Sequence, residues 1–496
     1  MAAGILLSRI AGLLRDRTFA HYFGMESDAG DAFRAASRIP NILQNLFGEG
    51  VLSASFIPVY AQLVAREEKE EAGKVAGAIF SILALLTSVL VLLGILFTPS
   101  LIWAIAGGFK GEKRELTITL VRVLFPGVGI LVLSAWCLGI LNSHRKFFLS
   151  YSAPVLWNAA MIAGLLYFGS RSSQASLATK IAWVSVIGSA AQFLVQLPVV
   201  LRVAPALRFR IAAELVGVQT VLRNFVPVFF SRGVSQISAY IDSYIASFLP
   251  IGAVSALGYS QTISMLPVSL FGMAITAAEL PAMSSATGSI EEIHALLRSR
   301  LTVGLQRITF LVIPSVVAFV ALGDVLAGAI YESGNFKHAD SVRLWVILAG
   351  SGIGLLASTQ GRLYSSTFYA LQDTRTPLRF AIVRVVLTTV LGYLAAFPLQ
   401  LGVAGLTASA GVSGWVEFAL LRRALGNRIG ATQVGFAYLA RLWAVAIFAA
   451  TAAFALKGYV THWHPILQAI AILGPYGAIY LGGADPTMLR RYLRLV

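Results

Sequence analysis

Apolar runs of about twenty residues, each long enough to cross a hydrocarbon core about 30 Å thick, follow one another from end to end of the chain. They include 76–98, 119–141, 154–169, 181–201, 310–330, 380–397 and 436–456. Read as helices, the pattern predicts about fourteen spans, near 2–22, 28–65, 74–98, 115–142, 150–170, 180–202, 218–249, 254–285, 302–324, 340–371, 377–397, 401–424, 435–456 and 464–483. The second is too long for one straight helix, and Pro40, Gly48, Gly50 and Pro58 mark where it should bend or break. The connections leave no room for a soluble domain, so the fold class is an all-α polytopic membrane protein.

The two halves repeat. Ser8 and Arg9 recur as Ser231 and Arg232, and Pro58 as Pro281, both at a shift of 223 residues. Leu46, Phe47 and Gly48 recur as Leu270, Phe271 and Gly272 at a shift of 224, and Gly127, Val128 and Gly129 as Gly352, Ile353 and Gly354 at 225. Six spans fit inside that shift, an even number, so the halves share one orientation and predict a parallel pseudo-twofold repeat about the membrane normal. The expected division is an N-lobe of helices 1–6 (1–210), a C-lobe of helices 7–12 (211–430) and a C-terminal helix pair (431–496), with a central cavity between the lobes.

Composition supports the membrane reading: 57% of the residues are hydrophobic and 12% charged, about half the charged share of an average soluble protein. A net charge of +16 would suit nucleic acid, but the basic residues fall in short clusters between spans and not on one soluble face. The clusters occupy every second connection, which places them and both termini in the cytoplasm by the positive-inside rule. The first residues lack a basic segment and cleavage site, so a removed signal peptide is not expected. Cys137 has no partner for a disulfide.

Charges inside the spans carry the candidate chemistry, because an ionisable side chain at the bilayer centre costs about 2.5 to 3.5 kcal/mol on insertion scales and so faces an interior. Arg9, Arg15, Asp16 and Arg17 sit in the first span, with Arg9 and Arg17 eight apart on roughly one face. Guanidinium groups bind phosphate bidentately, so this cluster suits a phosphorylated lipid head; snorkelling of Arg15 and Arg17 to an interface is the plainer alternative. Asp28 suits a helix N-terminus, while Asp31, Arg34 and Arg38 at i, i+3 and i+7 share one face that should line a cavity or pair with the first span. Glu49, at the expected helix break, reads as a gate or as a partner for freed backbone groups. In the second half Arg232 and Asp242 are too far apart to pair directly, and Glu279 is a candidate partner for Arg232. Arg122, Arg362 and Arg384 read as interface or packing residues. The histidines lack metal spacing, and no hydrolase, nucleotide-binding or redox motif occurs, so no enzyme and no firm metal site is expected.

The run SRIAGLLRD, then DAFRAASRIPN and EGVLSASFIPVYAQL, and later SQISAYIDSYIASFL, IYESGNF and FYALQDTRTP, resembles the MurJ (MviN) family of lipid II flippases. The resemblance implies the fold of the multidrug/oligosaccharidyl-lipid/polysaccharide (MOP) exporter superfamily, with the last two helices forming a lipid-tail groove. It implies a monomer in the bacterial cytoplasmic (inner) membrane, embedded in the phospholipid bilayer, with lipid II as substrate and no nucleic acid partner. Such a protein serves peptidoglycan biosynthesis by moving the undecaprenyl-diphosphate-linked disaccharide-pentapeptide to the outer leaflet by alternating access, with the membrane potential as driving force.

By motif, Arg9, Arg15 and Asp16 match charged residues of the family's first helix, Asp31 its second-helix aspartate, and Glu49 with Gly50 its Glu-Gly pair. Two departures stand out: Gln44 and Asn45 follow Pro40 and Asn41 where arginines are common, and Ser260, Gln261 and Thr262 replace Ala-Asp-Arg. Arg232 is the expected substitute for that missing arginine. A sodium site in some members maps onto Asp242, Asp373 and Thr389; no other cofactor is implied. A polysaccharide-unit or drug exporter of the same superfamily, and a polyprenyl-lipid glycosyltransferase, are the alternatives.

Overall fold

The computed structural model describes residues 2–484 apart from Gly48, Ala286, Thr287 and Gln433; for residues 2, 3, 5, 39, 40, 49, 50, 228 and 230–239 it describes the backbone alone. No strand occurs among the described residues. Twelve described helices are long and apolar enough to cross a membrane. Two more are long enough but carry charges along their length: 2–23, with Arg9, Arg15, Asp16 and Arg17, and 216–247, with Arg223, Arg232 and Asp242. The chain forms two compact units, Met1–Ser255 with Ser333–Asn335, and Ala256–Glu332 with Phe336–Val496.

The first unit holds α1 (Ala2–Phe23), α2 (Asp28–Phe47), α3 (Glu49–Ser55), α4 (Ile57–Ala65), α5 (Lys69–Leu96), α6 (Thr98–Ala106), α7 (Gly111–Ser143), α8 (Phe147–Ser152), α9 (Pro154–Phe168), α10 (Gln174–Val203) and α11 (Val216–Ser247). Helix α2 runs through Pro40, Gly48 lies outside the described residues, and among the described residues the span is interrupted at Phe56, next to Pro58. Pro58 sits in the first turn of α4, where a missing N–H leaves no bond unmade.

Helix α7 is the axis of this unit, packed on α2, α5 and α10. Its Trp136 is fully buried and donates to the Ala76 carbonyl at 3.0 Å. Helix α5 turns Gly73 and Gly77 to the 204–212 segment. A Cβ on either would stand 2.1 to 2.2 Å from the Ala206 or Arg208 carbonyl oxygen, so neither position admits a side chain.

The second unit continues with α12 (Ala253–Pro267), whose first turn belongs to the first unit, then α13 (Ala274–Ser284), α14 (Ile290–Ala321), α15 (Gly323–Tyr331), α16 (His338–Ala370), α17 (Arg375–Ala396), α18 (Gly402–Ile429), α19 (Phe436–Lys457) and α20 (Pro465–Ala484). A π-helical turn, Val268–Met273, joins α12 to α13. It contains Leu270, Phe271 and Gly272, the repeat counterparts of Leu46, Phe47 and Gly48.

Helix α16 packs between α14 and α18, and α17 packs on α18. Gly354 meets Gly411 so closely that a Cβ on Gly354 would lie 2.3 Å from the Gly411 Cα. Small residues let membrane helices approach where dispersion and not water exclusion drives packing. Helix α20 is tied to α14 by a related device. Pro314 has no N–H to give the Phe310 carbonyl, and the Tyr480 hydroxyl donates to that oxygen at 2.7 Å. Tyr476 donates to the Pro314 carbonyl at 2.7 Å.

Tyr480→Phe should therefore lower stability by about 1 kcal/mol, the scale of interhelical bonds in membranes. Denaturant unfolding of the full chain in bicelles measures this, with Tyr459→Phe, at a wholly exposed ring, as the neutral control.

Candidate functional site

The charged face read from α2 exists, but its residues divide among different partners. Asp31, in the first turn of α2, is 1% exposed. One carboxylate oxygen accepts from Lys113 Nζ at 2.8 Å and from the Gly252 N–H at 2.8 Å; the other accepts from the Ser255 N–H at 2.8 Å. A carboxylate at the first turn of α12 meets donors that the helix itself leaves unpaired, which is its favoured electrostatic position. Lys113 also pairs with Asp28 at 3.0 Å and stands 4.4 Å from the Phe109 ring centre. Asp28 and Asp31 thus share one ammonium, and with the 252–255 turn they form a latch.

A second set of contacts lies beside it. Residues 333–335 belong to the first unit: Asn335 donates its N–H to the His21 carbonyl at 2.8 Å and its side-chain amide to the Tyr22 carbonyl at 2.6 Å. Gly24 and Gly334 both have positive φ there, and a Cβ on Gly24 would lie 2.9 Å from the Asn335 carbonyl oxygen. Ser27 donates to Gln174 at 2.7 Å, fixing the α1–α2 turn to α10.

Deeper in the unit the charges are arginine-rich. Arg15 bonds the neighbouring Asp16 at 2.9 Å through Nη2 and lies 4.8 Å over Trp157 of α9. Arg34 stacks at 5.1 Å over Phe19 of α1. Arg38 is half-buried and interacts electrostatically with Tyr240 and Asp242 of α11. Arg9 is exposed. At 1.5 Å per residue, Arg15 stands about 12 Å from the Phe23 end of α1, and Arg38 about 15 Å from the Asp28 end of α2. Both are well inside their helices. Among the described side chains, α1 and α2 carry five arginines (Arg9, Arg15, Arg17, Arg34 and Arg38), with Asp16 bonded to Arg15 and Asp242 acting on Arg38, while Asp28 and Asp31 are held by Lys113. Guanidinium groups gathered in this way suit a multiply charged anion, phosphate above all.

Glu49 and Arg232 lie on described helices, with their side chains outside the described residues. Glu279, 4% exposed, takes its partners from α14: Arg307 at 3.2 Å and Arg300 at 3.7 Å. Arg232, the partner that the sequence offered, has its side chain outside the described residues. The sodium set is not drawn together. Asp373 precedes α17 and Thr389 lies fourteen residues into it, about 21 Å along the axis, too far to share one ion. The carboxylate of Asp373 is taken by the Thr376 hydroxyl at 2.6 Å, the N–H groups of Arg375 and Thr376, and Arg428 at 2.7 Å. These hold its pKa down to about 2, Thr376 most strongly. Thr389 donates to the Val385 carbonyl. No group of three metal-ligating acidic, histidine or cysteine side chains occurs among the described residues.

Lys113 is the residue that sequence reasoning passed over. It lies in the first turn of α7, and nothing in its neighbourhood points to Asp31, 82 residues away. Helix α19 forms one wall of an apolar groove of about 490 Å³ in the second unit, with Val316, Val320, Ile353 and Trp415 opposite Trp443 and Ile447.

Comparison with known proteins agrees with this architecture. The family model described as "Lipid II flippase MurJ" matches residues 19–474. The lipid II flippase MurJ of Burkholderia cenocepacia is 33% identical over 432 residues, covering 85% of this chain and 82% of the relative. A probable lipid II flippase MurJ of Rhizobium tropici is 31% identical, covering 98% and 94%. Among solved structures, a lipid II flippase MurJ in an inward closed conformation superposes with a TM-score of 0.78 at 23% identity over 97% of both chains. An inward-facing multidrug resistance MATE family transporter of the MOP superfamily gives 0.69 at 18% identity, covering 85% of this chain and 94% of that one; both show the fold alone. Matched by the family model over nearly its whole length, this multi-pass membrane protein belongs to the lipid II flippase MurJ family.

Proposed function

We propose that the chain carries lipid II from the inner to the outer leaflet of the bacterial cytoplasmic membrane by alternating access, as a monomer of fourteen spans with both termini inside. Family membership supports the substrate. The observation that supports the mechanism is the gathering of guanidinium groups well inside α1 and α2, where Arg15 is bonded to Asp16 and lies over Trp157 and Arg38 lies near Asp242. A diphosphate entering from the cytoplasm would bridge these groups, and Arg9, exposed toward the cytoplasmic end of α1, would meet it first. The chain's work is binding and release; the reading involves no bond cleavage and no resident cofactor.

The latch of Asp31, Lys113, Gly252 and Ser255 gives the outer end two states. While the carboxylate is ionised and bonded, the first turn of α12 stays tied to α2 and α7; release of those bonds would free it for outward opening. The potential supplies direction: moving two negative charges outward across about 100 mV is favourable by about 4 to 5 kcal/mol. The scheme draws on the potential and not on a coupled sodium ion, a reading supported by the bonds of Asp373 to Thr376 and Arg428.

Complementation of a strain depleted of its lipid II flippase tests the function. The wild-type chain should restore growth, and Arg15→Ala or Arg9→Ala should lose it while still reaching the membrane. Failure of the wild-type chain, or full growth with Arg15→Ala, would overturn the reading. In proteoliposomes, collapsing the potential should stall flipping, and replacing sodium with potassium should leave the rate unchanged.

The latch has its own readout. Asp31→Asn removes charged hydrogen bonds worth about 1.5 to 3 kcal/mol each. A cysteine at Ser255, buried beside the latch, should then react with a membrane-impermeant thiol reagent about tenfold faster or more; Cys137 is buried and silent. Unchanged labelling would remove the gate role from Asp31.

A further inference from the structure

The second unit holds a charge cluster that the sequence assigned to packing. Arg384 of α17 donates through Nη1 to Glu417 of α18 at 3.1 Å, and its buried Nε has no hydrogen-bond partner. Arg362 of α16 is exposed and makes no hydrogen bond or ion pair among the described residues; Arg384 and Glu417 act on it electrostatically. Arg362 lies eight residues before the end of α16, about 12 Å; Arg384 lies nine into α17, about 13 Å; Glu417 lies twelve before the end of α18, about 18 Å. All three are well inside the spans.

Snorkelling does not account for them. Arg384 reaches toward the deeper Glu417, away from the interface that a snorkelling side chain seeks. Nor do they face lipid. At 100° per residue, the exposed apolar residues of α17, Leu378, Ile382, Val383, Val386, Val390, Tyr393 and Leu394, centre on the side opposite Arg384, the nearest of them about 80° from it. The exposed residues Val342, Val346 and Ile353 of α16 lie opposite Arg362, whose own side carries Ser351, Ser358, Ser365 and Tyr369. Two guanidinium groups thus turn to the polar side of one unit, with a single carboxylate bonded to one of them and acting electrostatically on the other. One positive charge is left over at a depth where it costs about 2.5 to 3.5 kcal/mol unless it is matched.

We propose that Arg362 and Arg384 form an anion subsite for a phosphate or diphosphate group, with Glu417 as the internal stand-in that holds Arg384 while the subsite is empty. Two planar guanidiniums offer paired donors to phosphate oxygens, and the arriving anion displaces the carboxylate. Ligand binding and the Arg384–Glu417 bond therefore compete. The polar side of α16 leads from this depth toward the cytoplasm, so the anion enters from that face. The proposal rests on the lipid-carrier reading for its lipid source, and on the cluster alone for its chemistry.

Capture at the cluster itself is the test. The full chain in maltoside detergent, which contains no phosphate, carries a benzophenone amino acid in place of Tyr369 and is photolysed with a radiolabelled polyprenyl diphosphate. Arg362→Gln, which removes no bond within the protein, should lower capture about tenfold, and Arg362→Lys should restore part of it. Glu417→Gln should raise capture, the outcome that a merely structural ion pair would not give. Competition by inorganic pyrophosphate at the same concentration as unlabelled lipid would mark the free anion as ligand, and competition only at far higher concentration would mark the lipid; both sustain the subsite. Competition by the uncharged prenol in place of pyrophosphate, wild-type capture by Arg362→Gln, or no gain with Glu417→Gln would overturn it. Capture at equilibrium needs no transport, so its failure is distinct from a failure of complementation.

Discussion

Hydrocarbon makes every unmatched charge expensive, and the placement of charges in this chain follows from that constraint. In the first unit Asp31 meets an ammonium and two helix-start N–H groups, Arg15 meets a carboxylate and an indole face, and Arg34 meets a phenyl ring. In the second, Glu279 meets two arginines and Glu417 one. The helices can hold these groups because the residues around them leave little slack: glycines where backbones touch, a tyrosine hydroxyl where a proline leaves a carbonyl bare.

Much of the fold was legible because its signals are local and strong. Apolar length alone marks the spans, and the interruption at Phe56 follows from the chemistry of Pro58. Pro40, where a bend or break was expected, does not end its helix. A proline inside a membrane helix is tolerated where neighbours meet the freed groups, and α2 continues through it.

The site was less legible, since partners far apart in sequence decide it. The i, i+3, i+7 spacing correctly placed Asp31, Arg34 and Arg38 on one helix, but spacing on a helix cannot say that Lys113 waits for the first, Phe19 for the second and Asp242 for the third. Glu279 shows the same limit: its partners Arg300 and Arg307 lie on the following helix, where no spacing pointed to them. The sodium set drawn from resemblance met plain distance, with fourteen residues of helix between two of its members.

The π-helical turn at Val268–Met273 carries one more residue per hydrogen-bonded loop than the α-helix on either side. Such a surplus can move along a helix as a defect, one residue at a time, with no bond broken elsewhere. Each step turns the residue it passes by about 100° about the axis, from one face to another. A side chain can thus exchange an interior for a lipid environment while both flanking helices stay in place, and this segment could refit its surface to a differently shaped cargo without any tilt of the helices around it.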